Sequence, residues 1–245
     1  MSHISIPVTT LIQHFLFLFL LVVVPAWDFY DTRRLKRSPS SQGKIRYYAS
    51  LCAWLWISAV VACAVVGWRP LFIISPAPEE ISWLLNHLWV RCLVEAVIAL
   101  FFAVMLLPLA IVLRKKLKKE PRKYATADAM KAFDYLFPAT WAERRWWVFT
   151  CTTAGVCEET LFRGFLLQYL HVVPWTLNLT LALFLSSLIF GLNHLYGGVS
   201  GVIGSALTGF LFGLLFILTG NLLLPMIVHA ILDLRMLVLL RPPAE

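Results

Sequence analysis

The chain has 245 residues, of which 60% are hydrophobic, 14% aromatic and 14% charged, against about 25% charged in an ordinary soluble domain. With a mean hydropathy of +0.79, gathered into apolar runs of about 20 residues, this composition excludes a water-soluble globule and fits one integral-membrane domain. The net charge of +8 does not mark a nucleic-acid binder. Most Lys and Arg fall in two short hydrophilic stretches between apolar runs, where they read as topology signals facing anionic lipid headgroups.

The first apolar run, about residues 11–27, has no Lys or Arg before it and no small-x-small site after it, so it is expected to stay as a span. Arg33, Arg34, Lys36, Arg37, Lys44 and Arg46 follow in a Ser/Pro-containing loop, which the positive-inside rule puts in the cytoplasm with the N-terminus outside. A second span is expected over about residues 47–68, an outer linker over 69–82 with Pro70, Pro76 and Pro78, and a third span over 92–113. The second basic stretch begins Arg114, Lys115, Lys116 and closes with Arg144 and Arg145. Within it Thr126 can cap a short helix to about Phe137, which reads equally as interfacial or as a solvated loop helix.

Four further spans fit about residues 146–170, 175–194, 199–218 and 222–240, leaving the C-terminus cytoplasmic. The expected fold is an all-α polytopic transmembrane bundle of about seven spans, six to eight being admissible, in a single domain over 1–245. Trp27, Trp68, Trp83, Trp146, Trp147 and Trp175 fall near span ends like an aromatic belt. Gly201, Ser205, Gly209 and Gly213 recur every four residues and present a smooth packing face. Cys52, Cys63, Cys92, Cys151 and Cys157 are odd in number and lie in or beside apolar segments, so neither a disulfide framework nor a zinc ribbon is expected.

Ionisable groups at membrane depth are costly and are functional candidates by default. They concentrate in the C-terminal half: Glu158, Glu159 and Arg163 in the fourth span, Phe190 and His194 at the end of the fifth, His229 and Asp233 in the seventh. Glu159 and Arg163 are four apart on one helix face in the favourable order for an ion pair. Glu158 points about 100° away and is left without a local partner, which suits a group that accepts and returns a proton. His229 and Asp233 also share a face, so the carboxylate can orient the imidazole. His14 stands alone in the first span and reads as a satisfied or interfacial histidine. One mismatch remains: Glu158 lies near mid-depth while His194 falls near the cytoplasmic end of its span, so convergence needs shifted boundaries or strong tilt.

The ordered set Glu158-Glu159…Arg163, Phe190…His194, His229…Asp233 resembles the CAAX protease and bacteriocin-processing family of intramembrane glutamic endopeptidases, with its EExxxR, FxxxH and HxxxN/D elements on successive helices. The resemblance covers about residues 147–240, including the Gly-rich helix and the lead-in through Thr219, Gly220, Asn221 and Pro225. Residues 1–146 match only in being hydrophobic helices. It implies a peptidase without a cofactor, acting on a membrane-associated peptide or protein tail. Glu158 with His194 would activate water, His229 and residue 233 would stabilise the oxyanion, and Glu159 with Arg163 would fix the helix. Related CAAX endopeptidases carry Asn at the last position. Asp233 can donate only when protonated, so it is expected mainly to orient His229.

Competing readings use the same residues. Glu158, His194, His229 and Asp233 could hold Zn²⁺ as a metalloprotease site, Cys157 could serve as a thiol nucleophile, or the set could be a proton relay in a transporter or a non-catalytic scaffold. The Lys/Arg asymmetry suggests a bacterial inner membrane.

Overall fold

The computed structural model describes residues 7–73, 86–118, 133–172 and 175–240. Among them the architecture is all-helical, with one isolated bridge between Ile73 and Asn221 in place of any strand. Helix α1 spans Val8–Arg37, α2 Ser41–Val66, α3 Trp68–Phe72 and α4 Leu88–Leu117. Helix α5 starts as Trp141–Glu159, passes through a π-helical stretch Thr160–Leu166 and ends as Leu167–His171. Helices α6, α7 and α8 span Leu179–Leu192, Gly198–Thr219 and Leu223–Leu239.

Helices α1, α2, α4 and α7, the last with its leading turn from Leu195, are each long and apolar enough to cross a membrane. The chain is an integral membrane protein. The other long helices are set apart by chemistry or length. Helix α5 carries the Glu and Arg residues of the candidate site. Helix α6 has 14 residues and reaches roughly 21 Å at 1.5 Å per residue, short of a core of about 30 Å.

Helix starts follow their caps. Ser40 Oγ accepts from Gly43 N at 3.0 Å, Thr140 Oγ1 from Glu143 N at 3.2 Å, and Asn178 Oδ1 from Leu181 N at 2.8 Å, each satisfying an orphan amide of a first turn. Glu143 reaches back to Ala139 N at 2.7 Å, which completes a capping-box arrangement at α5. Gly220, at φ 73°, ends α7 in the left-handed conformation that favours glycine.

Two expectations about the first basic stretch are corrected. Arg33, Arg34, Lys36 and Arg37 lie on the last turns of α1, and Lys44 and Arg46 on the first turns of α2, so the loop between them is only residues 38–40. Lys44 is buried, 6% exposed. Its ammonium donates to the carbonyls of Asp134 at 3.0 Å and Phe137 at 2.5 Å and pairs with Glu143 at 3.6 Å. Most of the helix expected to Phe137, and Trp83 with the linker around it, lie outside the described residues. The described end, 133–137, is a turn packed on the bundle through buried Tyr135 and Leu136.

Helix α5 is the central element. It packs on α2 on one side and α8 on the other, while α6 and α7 form the most intimate pair. The main core gathers Leu20, Leu161, Phe165, Leu166 and Phe216 around it. Short α3 tucks under the π stretch: a Cβ on Gly164 would come within 2.7 Å of Leu71 O, and Leu222 N donates to Phe72 O at 3.1 Å. Of the expected aromatic belt, Trp68 and Trp175 are exposed. Trp27 and Trp147 turn inward instead, Trp27 stacking on Tyr47 and Trp147 meeting Tyr48 and Phe137 edge-on.

Candidate active site

The π stretch of α5 begins immediately after Glu158-Glu159 and contains Arg163; such local widenings of the helical ladder recur at functional sites. Arg163 Nη1 donates to Glu159 Oε1 at 3.1 Å, and both side chains are almost fully buried. The guanidinium also lies over the Phe190 ring, 4.3 Å from its centroid, and near Phe212 at 5.4 Å. The ring quadrupoles add to its stabilisation. Room for this stack comes from α7: a Cβ on Gly209 would meet Phe190 at 2.8 Å and Arg163 Nη2 at 2.9 Å. The small-residue stripe is therefore the face that α7 lays over the site.

His194 lies two residues beyond the end of α6, in the turn leading to α7. Its Nδ1 is 2.9 Å from Phe190 O. A carbonyl can only accept, so Nδ1 carries the proton and Nε2 of the neutral ring keeps a free lone pair. The fifth apolar helix is shorter than expected, starting at Leu179 and stopping at Leu192, and Glu158 and His194 line one cavity.

His229 is buried on α8 and stacks on Phe212 with an interplanar angle of 17°. Its Nδ1 donates to Glu159 Oε1 at 2.8 Å. Its Nε2 lies 3.8 Å from Glu158 Oε2 and 3.6 Å from Asp233 Oδ2. The hydrogen bond that orients the imidazole thus comes from Glu159, seventy residues away, and Asp233 stands beyond hydrogen-bond length on the opposite nitrogen. Glu158 Oε2 is buried without a hydrogen-bond partner among the described residues.

Glu158, Phe190, His194, His229 and Asp233 line one cavity of about 390 Å³, far above the roughly 10–15 Å³ that one water needs. A second, more apolar cleft between α1, α2 and α5 shares Glu158 and His194 with it. Tyr47 and Tyr196 line both spaces, and Tyr47 Oη donates to Asp28 Oδ1 at 2.6 Å. Sequence reasoning missed these aromatic residues, and only the position of Tyr196, two beyond His194, pointed to it.

Among the described residues no group of three or more His, Cys, Asp or Glu is arranged to hold a metal ion, so the zinc reading of Glu158, His194, His229 and Asp233 has no preformed cage. Cys157 is fully buried within the hydrophobic core, which leaves a thiol nucleophile without access to substrate. His14 Nδ1 is satisfied by the Tyr169 hydroxyl.

Residues 140–235, the segment holding Glu158, Glu159, Arg163, Phe190, His194, His229 and Asp233, match the family model described as Type II CAAX prenyl endopeptidase Rce1-like. Over this segment the chain is similar to the CAAX protease family. No curated protein and no solved structure matches it. The region that supplies the match is the one whose helices α5, α6 and α8 converge on the cavity.

Proposed function

We propose that this protein, similar over residues 140–235 to CAAX endopeptidases, is a glutamate- and histidine-dependent intramembrane endopeptidase that hydrolyses a peptide bond in a membrane-associated protein or peptide tail. The observation that carries the reading is the shared cavity of Glu158, His194 and His229, each reaching it from a different helix or turn. Glu158 accepts a proton from water, helped by the free Nε2 of His194, and returns it to the leaving amine. His229 offers Nε2–H to the developing oxyanion. Because Nδ1 already donates to Glu159, this requires the imidazolium, whose charge Glu159, Glu158 and Asp233 balance within 4 Å. Arg163 and Glu159 hold this frame rather than touch substrate.

The matched family's description names a CAAX prenyl endopeptidase, and an S-prenylated C-terminal peptide is the substrate class we assign. The apolar cleft lined by Phe19, Leu20, Val23, Trp54 and Leu55 fits an apolar chain next to the reacting groups. The charged ends of α1, α4 and α5 support cytoplasmic loops, an external N-terminus and a bacterial inner membrane. The test is cleavage of an S-farnesyl-cysteine tetrapeptide by purified protein in detergent, with and without a zinc chelator. Cleavage indifferent to chelator and lost in a folded Glu158→Ala variant supports the reading. Chelator-sensitive cleavage, or none by the wild type, refutes it.

A further inference from the structure

Among the described residues, Arg235 is the one Lys or Arg that lines the catalytic cavity. It follows Asp233 by two residues on α8, toward the mouth proposed as cytoplasmic, and is half-buried. Its Nη1 donates to Leu232 O at 2.6 Å, which folds the guanidinium back along its own helix toward His229. Asp233 has its close ionic contact with His229, and Arg235 forms no ion pair with any described carboxylate. A half-buried guanidinium with one of its five donors used has most of its fork left for an incoming anion. Carboxylate is the group whose geometry matches that fork with two parallel hydrogen bonds.

The position on the helix adds a length. Six residues at about 1.5 Å of rise separate His229 from Arg235 by roughly 9 Å, which is the reach of two to three extended residues at about 3.4 Å each. We propose that Arg235 binds the free C-terminal carboxylate of the substrate tail and so sets how many residues lie beyond the scissile bond. This rests on the peptidase reading, since it is that reading which puts the scissile carbonyl at His229. Arg235 is a specificity residue, acting in binding and not in the bond-breaking step.

The test uses full-length Glu158→Gln protein in phosphatidylcholine nanodiscs and a fluorescent S-farnesyl-cysteine tetrapeptide, as the free acid and as the C-terminal amide. Loss of a charge-assisted hydrogen-bonded pair is expected to weaken binding of the amide roughly ten- to hundredfold. Adding Arg235→Gln should reduce that preference to about onefold, and Arg235→Lys should restore part of it, a pattern that a merely structural role does not produce. Equal binding of acid and amide before any change at Arg235 overturns the proposal. So does an acid preference that survives Arg235→Gln, or binding that follows added anionic lipid instead of the peptide terminus. Because binding is read without turnover, an acid preference that depends on Arg235, found together with a wild type that never cleaves the peptide, would refute the peptidase reading and leave standing only the contact between Arg235 and the terminal carboxylate.

Discussion

His229 is held by one carboxylate and faces two others, and each position has a different consequence. Glu159 accepts from Nδ1 at 2.8 Å and from Arg163 at 3.1 Å through the same oxygen, so it joins the helix-fixing pair to the imidazole. Asp233 is 3.6 Å from Nε2 and lies at the cavity wall. Glu159→Gln is therefore expected to lower kcat by about 10–100-fold, the usual cost of losing an outer partner of a catalytic histidine. Asp233→Asn should keep kcat within about tenfold. Initial rates on the farnesylated peptide decide between them, and the reverse order would return the orienting role to Asp233. The Glu159–Arg163 pair was legible in the sequence because four residues on one helix are always neighbours. The Glu159–His229 bond was not, because it joins α5 to α8 and depends on how two helices pack.

At the scale of elements, α7 contributes no ionisable group and still determines the site's shape. Gly209 lets its backbone approach Phe190 and the Arg163 guanidinium, and Gly213 lets it approach Leu183 of α6. Gly209→Ala puts a Cβ within 3 Å of two buried groups and should cost about 1–3 kcal/mol by overpacking, read as a lowered thermal midpoint in detergent with reduced activity. An unchanged midpoint would mean that α7 can shift away from Arg163. The four-residue repeat made the packing face readable, but not what it packs on. Helix lengths were less readable: α6 starts only at Leu179, and Asn193 just past its end donates from Nδ2 to Leu20 O in the π stretch of α1 at 3.0 Å. Hydropathy does not register where within an apolar stretch a helix begins.

For the whole molecule, the N-terminal helices do more than anchor the catalytic ones. Helices α1 and α2 supply most of the apolar cleft beside Glu158 and His194, and α2 ties the turn 133–137 to α5 through Lys44. Sequence reasoning counted Lys44 among loop charges, since charge alone does not tell a topology signal from a buried clamp. Lys44→Met leaves the buried Glu143 carboxylate without its cation, and breaking such a pair costs about 3–5 kcal/mol. Thermal unfolding should show the loss, and limited proteolysis should show earlier cleavage near residues 133–140. A wild-type melting curve would show that the Glu143 bonds to Ala139 and Thr140 suffice.

All of these elements converge on one carboxylate, Glu158, whose Oε2 has no hydrogen-bond partner among the described residues and which shares its cavity with two histidines. The decisive measurement is the Glu158→Gln variant, with kcat for the farnesylated peptide and its Kd determined on the same folded preparation. The isosteric amide keeps the shape and removes the base. A fall in kcat of about 10²–10⁴-fold, the usual worth of a general base, with Kd unchanged is the expected result. Cleavage within a few-fold of the wild type would contradict it and remove Glu158 from the mechanism.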